Sequence, residues 1–305
     1  MSSHVALAPS AQPVGSARGS SASALAAPRP ALPSRIVTAV VVASVLWLGA
    51  AVAPSRAWSQ DGKSAASDAT GSGLAIARDA DRRDNGWRSS VVDVRMTLTN
   101  AHGQSSERRL RSAMLEVPGD GDQTLVVFDQ PADVKGSAVL TNSHGSEPDD
   151  QWLYLPAVNR VKRIASSNKA GPFMGSEFAF EDLASQEIEK YSYRFATEDT
   201  IGGLPAFVVE RDPVDPKSGY TRQRVWYDQQ HFRPLRIDYY DRKDALLKTL
   251  TYERYQSYGA FWRARAQLMV NHQTGKRTLV EFGEFRLDAG LTPGEFEAAH
   301  LSSVR

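Results

Sequence analysis

The chain has 305 residues, of which 41% are hydrophobic and 23% charged, values that exclude wholesale disorder and a polytopic membrane protein and leave one or two folded domains. The formal charge of +1 is unevenly placed: residues 1–57 hold four arginines and no acid, so the remainder carries about −3 and lacks the basic run that nucleic acid requires. There is no cysteine, which rules out disulfides, a thiol nucleophile, thiolate metal sites and the N-terminal acylation of a lipoprotein.

Residues 1–34 are rich in Ala, Ser, Pro and Gly and have too little apolar surface to order themselves. Arg35 then introduces an uncharged apolar run over 36–53, followed by two small-x-small exits, Ala51-Val52-Ala53 and Ser55-Arg56-Ala57. A basic flank, an apolar run and a small-residue exit together read as a secretory signal. The run also reaches the lower limit for a membrane span, so an uncleaved inner-membrane anchor is the alternative. Either way the rest of the chain is expected in the periplasm. The expected organisation is a signal or anchor over 1–57, a polar linker over 58–72 and one folded domain over 73–305.

Leu74, Ile76, Ala77 and Ala80 recur at helical spacing before Asn85-Gly86 and predict one short amphipathic helix. The period then changes to two. Val92, Val94, Met96 and Leu98 alternate with polar residues, Asn100 to Gly103 reads as a hairpin turn, and the return strand changes face between Met114 and Leu115 as a bulge would. Strand-like segments follow at 125–128, 137–141, 152–155, 160–165, 191–195, 206–210, 223–228, 235–240, 246–252, 262–270 and 278–287. Their mostly tight links imply antiparallel neighbours. The predicted fold is a mainly β, incomplete antiparallel β-barrel of about eleven strands with short covering helices. Thr292-Pro293-Gly294-Glu295 predicts a capping box opening a short terminal helix, and Ser176 is a candidate cap for another over 176–184.

Nothing resembles a catalytic signature: G-x-G-x-x-G, P-loop, G-x-S-x-G and H-E-x-x-H are all missing. The six histidines are scattered, several of them in predicted turns. Asp149-Asp150 and Glu181-Asp182 are carboxylate pairs that acid–base chemistry could use, but they read more simply as solvated acids. Arg160, Lys162 and Arg163 form a small basic cluster that could hold an anionic headgroup or a partner, though polar strand faces also look like this. No cofactor or metal is implied.

The unusual feature is a connecting segment with too many apolar residues: Pro172, Phe173, Met174, Phe178, Phe180 and Leu183. Connections run over the surface and should be polar. The segment is either a plug capping one mouth of the sheet or a mobile lid whose aromatic and Met side chains touch an apolar ligand.

This loop and its flanks carry a resemblance. Gln151 to Pro156, Arg160 to Ile164, Pro172 to Phe178 and Glu181-Asp182-Leu183 resemble the outer-membrane lipoprotein-sorting protein family, in its LolA-like branch associated with RND-type lipid exporters. Arg224 to Asp228, Asp238 to Asp241 and Asn271 to Lys276 agree, and the likeness covers roughly residues 72–301. The FMGS-x-F-x-x-EDL block is its specific part, with Glu177 and Ala179 as mild departures. The resemblance implies an open barrel with an apolar concavity that binds acyl chains of lipids or lipoproteins, with an RND-type exporter as partner. The expected chain-contacting residues are Met96, Phe128, Trp152, Phe173, Met174, Phe178, Phe180, Trp226 and Trp262. The preferred reading is a non-catalytic periplasmic carrier and a monomer; the alternative is a membrane-anchored lipid sensor of the same fold.

Overall fold

The computed structural model describes residues 61–304, so the signal or anchor read in residues 1–57 lies outside the described residues. One helix, α1 (Asp61–Asp84), precedes fourteen strands. These are β1 (Ser89–Thr99), β2 (Ser105–Leu115), β3 (Gln123–Gln130), β4 (Ala138–Asn142), β5 (Asp150–Leu155), β6 (Arg160–Ile164) and β7 (Tyr191–Ile201). Then come β8 (Leu204–Pro213), β9 (Arg222–Asp228), β10 (Pro234–Tyr240), β11 (Leu246–Tyr258), β12 (Phe261–Asn271), β13 (Arg277–Phe282) and β14 (Arg286–Leu287). They form a single sheet in the order β6-β5-β4-β3-β2-β1-β13-β12-β11-β10-β9-β8-β7, with β14 paired to β1. Each neighbouring pair is antiparallel, as hairpin links require. The sheet does not close: β6 and β7 are its two edges, and residues 165–190 connect them.

The strand count exceeds the expected eleven because each segment read as strand-like pairs as a separate strand, and the 278–287 stretch breaks near Gly283 into β13 and β14. The bulge expected in β2 is absent there, since its register with β1 runs unbroken from Ser105 to Leu115. Leu115 simply faces the other side, and the irregularity lies opposite Arg109 and Leu110, at Asp129 of β3. The stretch expected as a polar linker, 58–72, is helical from Asp61, so α1 is 24 residues long rather than short. A polar turn of helix has no apolar period to reveal it, and its alanines favour the helical state on their own. Among the described residues no helix is long and apolar enough to cross a membrane.

Alternation sends two sets of side chains to opposite faces. Val92, Val94 and Met96 of β1, Val126 and Phe128 of β3, Val209 of β8, Val225 and Tyr227 of β9, Ile237 and Tyr239 of β10, Leu250 of β11 and Met269 of β12 form one contiguous core. Strands from both arms of the sheet contribute to it, which is what a curled sheet with a concave inner face produces. On the outer face, Leu125, Val127, Leu140 and Tyr154 are covered by the C-terminal segment through Phe296 and Leu301. That segment opens with the expected capping box, the Thr292 N–H donating to Glu295 Oε2 at 2.7 Å, although it winds as a 3₁₀ turn, Pro293–Phe296.

Helix α1 lies against β7, with contacts to β8 and β12, and buries Ala77 in the concave core beside Leu74, Ile76 and Ala80. Its approach to β7 depends on Gly73, because a Cβ there would stand 2.5 Å from the backbone nitrogen of Phe195. Overfilling such a contact costs about 1–3 kcal/mol. Gly73→Val is therefore expected to loosen α1: amide exchange in the helix accelerates while β11 and β12 keep their protection. Unchanged exchange in α1 would show that the close approach is not required.

Candidate functional site

The inner face encloses a cavity of about 1400 Å³. It extends to the sheet end formed by the β2–β3, β9–β10 and β11–β12 turns, where Pro118, Phe232 and Ala260 line it. Its apolar lining includes Ala77 and Ala80 of α1, Val225, Ile237, Tyr252, Ala264, Phe282 and Phe285, and charged residues such as Asp81, Asp122, Glu187, Glu189 and Arg211 line it as well. Trp262 stands at the same end, its ring 4.8 Å from His231 and 4.4 Å from the Arg233 guanidinium.

The other end is filled by the apolar loop. Phe173 is 1% exposed and packs against Phe128 and Phe180, at ring separations of 5.7 and 5.9 Å. The turn at its tip needs left-handed backbone at Met174 (φ 48°) and Gly175 (φ 76°), and Arg108 donates to the Met174 carbonyl. Polar anchors reach the loop from both arms of the sheet: Gln151 donates to the Phe180 carbonyl at 2.8 Å, and Asn271 to Glu177 Oε2 at 2.7 Å. The central anchor is a buried ion pair. Lys248 Nζ lies 2.6 Å from Asp182 Oδ2, the two side chains being 4% and 3% exposed. Tyr220 donates its hydroxyl to the other oxygen at 2.8 Å, the Ala179 N–H donates to Asp182, and Lys248 also reaches the Glu177 carbonyl. Asp182, not Ser176, thus caps the 3₁₀ turn Phe180–Leu183. Glu181 accepts from the Ser218 hydroxyl and the Gly219 N–H, and burial, with Asp182 beside it, raises its pKa.

The structure gathers part of the expected set. Met96, Phe128, Phe173 and Phe178, with Met174 and Phe180 against them, share the concave core, in the packed region around the loop. Trp262 alone of the nine lines the cavity itself. Trp152 packs on the outer cluster and Trp226 on a third cluster with Val208 and Leu235, its indole N–H donating to Asp199. Leu153 is the inward residue of β5, one position from Trp152, because both faces of this sheet are partly covered and aromatic residues serve either. Of the basic cluster, Arg163 pairs with Asp150, while Arg160 and Lys162 are exposed on edge strand β6, where charge also discourages pairing with another chain. Glu181-Asp182, expected as solvated acids, are instead the buried anchors of the loop. A cation on the inward face of β11, Lys248, was the available sign that a buried acid must meet it.

Acids gather near the cavity end of α1. Burial, with Glu187 nearby, pushes Asp122 up to about 7, and burial likewise raises Asp84, Asp81 and Glu187.

A crystal structure of a candidate outer membrane lipoprotein-sorting protein domain from Vibrio parahaemolyticus is 50% identical to this chain, with a TM-score of 0.75, over 76% of this chain and 99% of that one. This chain belongs to the family of outer membrane lipoprotein-sorting proteins. A DUF1329 family protein from Desulfovibrio piger is similar to it at 29% identity and a TM-score of 0.73, again over 76% of this chain and 99% of that one. A LolA superfamily protein from Nitrosomonas europaea shares the fold at 21% identity, with a TM-score of 0.60 over 74% of this chain and 97% of that one. A family model described as an uncharacterized protein matches residues 120–303. A search of the curated proteins finds no match. The resemblance to the lipoprotein-sorting family is therefore a membership, and the fold shared with the LolA superfamily protein is a curled, unclosed sheet.

Two outcomes test this geometry. Lys248→Met leaves the Asp182 carboxylate buried without its cation, and the expected cost is about 3–5 kcal/mol in urea denaturation; a change below about 1 kcal/mol would mean that the pair does not hold the loop. Asp122 ionises harder in the folded state than in the unfolded chain, so its contribution to stability is full below about pH 4 and is lost as pH climbs to about 7. Asp122→Asn is expected to flatten that fall in urea midpoints, and an unaltered pH slope would contradict it.

Proposed function

We propose that this LolA-like protein is a periplasmic carrier that takes acyl chains of lipids or lipoproteins into the concave cavity and passes them towards the outer membrane. Its cavity carries the reading: at about 1400 Å³ it exceeds the roughly 300–1,000 Å³ of small-molecule sites, and its lining combines aliphatic and aromatic side chains with charged and polar ones, as a chain with a polar head requires. The export signal over 36–57 supports the compartment, and the name of the Vibrio relative supports a lipoprotein-sorting role. Partnership with an inner-membrane RND-type exporter belongs to the same proposal and rests on the likeness of the Phe173–Leu183 block to the branch associated with such exporters. The task is binding and release, with no bond made or broken.

Burying one methylene is worth about 0.8 kcal/mol, so about ten methylenes supply near 8 kcal/mol before ordering costs. That supports micromolar retention and still permits hand-over. Displacement of the loop adds Phe128, Phe173, Met174, Phe178 and Phe180 to the lining, since they belong to the same contiguous core as the cavity walls. In this reading plug and lid are two positions of one segment. The apolar run over 36–53 favours a second reading, a membrane-anchored lipid sensor, and retention of that run on the mature protein would select it.

The binding test fills the cavity without touching the loop. Ala264 is 7% exposed and lines the wall, so Ala264→Trp is expected to weaken binding of a fluorescent fatty acid at least about tenfold while the β-rich far-ultraviolet spectrum is kept. A wild-type protein that binds no acyl chain would overturn the carrier reading.

A further inference from the structure

Arg211 of β8 has the same alternation as Val209 and points into the concave side, where it lines the cavity while being only 4% exposed. A buried guanidinium remains charged and ordinarily meets a carboxylate. Among the described residues none lies within 4.0 Å of it. Its partners are two neutral amides: Nε and Nη2 donate to Gln223 Oε1 at 2.9 and 2.7 Å, and Nη2 donates to Gln186 Oε1 at 2.8 Å. The ring of Tyr191 lies 4.4 Å from the guanidinium carbon. Nη1 keeps its N–H groups without an acceptor among the described residues.

Three phenols complete the surroundings. Tyr193, Tyr227 and Tyr252 line the same cavity, and their hydroxyls make no hydrogen bond to a described residue and are open to the cavity rather than sealed from it. Burial raises the pKa of each above the usual tyrosine range, so they are neutral donors and do not balance the arginine. Acids such as Asp81 and Glu189 line the same cavity but make no ion pair with Arg211, so a guanidinium without its own carboxylate stands with three hydroxyl donors, the complement of an oxyanion. The site is also deep. Arg211 pairs with Gln223 across β8 and β9, five residues from the Ala206–Asp228 pair near the open end, which is about 16 Å along the strand.

We infer that Arg211, with Tyr193, Tyr227 and Tyr252, receives the anionic headgroup of an acidic lipid, a carboxylate or a phosphate, whose acyl chain then runs along the cavity towards the β9–β10 turn. This inference rests on the acyl-chain reading above and narrows its ligand class. An acylated, uncharged N-terminal cysteine of a lipoprotein offers this site only neutral carbonyl acceptors, whereas a free fatty acid or an acidic phospholipid offers a charged one.

The test compares headgroups on one chain length. Purified full-length protein is titrated by calorimetry with myristate, myristoyl lysophosphatidate and methyl myristate, at a pH where both acids are ionised. The wild type is expected to bind at least one acid about tenfold or more tightly than the ester, as a hydrogen bond to a charged group implies, and the tighter acid identifies carboxylate or phosphate. Arg211→Gln is expected to erase that preference while the ester's affinity is kept, and Arg211→Lys to restore part of it. Equal wild-type affinity for acids and ester overturns the headgroup assignment and leaves the carrier reading standing; this comparison needs no variant, so a misfolded Arg211→Gln cannot obscure it. Failure to bind any of the three overturns both.

Discussion

A curled sheet with an unclosed seam must fill or cover its concave side, and in this protein the buried Lys248–Asp182 pair fixes how that is done. The pair ties a segment connecting the two sheet edges to the middle of the far arm. It has the company that makes a buried charge tolerable: a phenol hydroxyl, a backbone N–H and a carbonyl take up the remaining donors and acceptors. The apolar packing around Phe173 follows from that anchoring. With one end occupied by the loop and α1 lying over β7, the described residues leave a large cavity reaching the opposite end.

The architecture was legible in the sequence wherever one face of a strand is buried and the other wet. β1 shows this most plainly, and the Asn100–Gly103 turn and the capping box at Thr292 were legible from their turn and cap residues. The apolar loop was legible too, because apolar residues in a connection contradict its usual place on the surface. What alternation could not supply was which face is concave. Trp152 and Trp226 are large, aromatic and partly or fully buried, yet they cover the outside, where the C-terminal segment and the β8–β10 surface receive them. The first turns of α1 escaped for the opposite reason: they carry no apolar period at all.

The charged residues were the hardest to read. Glu181 and Asp182 look in sequence like any acidic turn, and Arg211 like any polar strand position. Only parity distinguishes them, since Arg211 stands in step with Val209 and Lys248 in step with Leu250. A charged residue in phase with the apolar face signals either an internal ion pair or a place for an opposite charge from outside the chain. Lys248 is the first case, and Arg211, as we infer, the second.

The central claim is that the concave cavity holds an acyl chain. Native mass spectrometry of the protein purified from periplasm without added lipid tests it most directly. The account predicts a population heavier than the polypeptide by the mass of one acyl lipid, which organic extraction removes and added lipid restores at one molecule per chain. A protein that carries only its polypeptide mass and takes up no lipid when offered it would contradict the account.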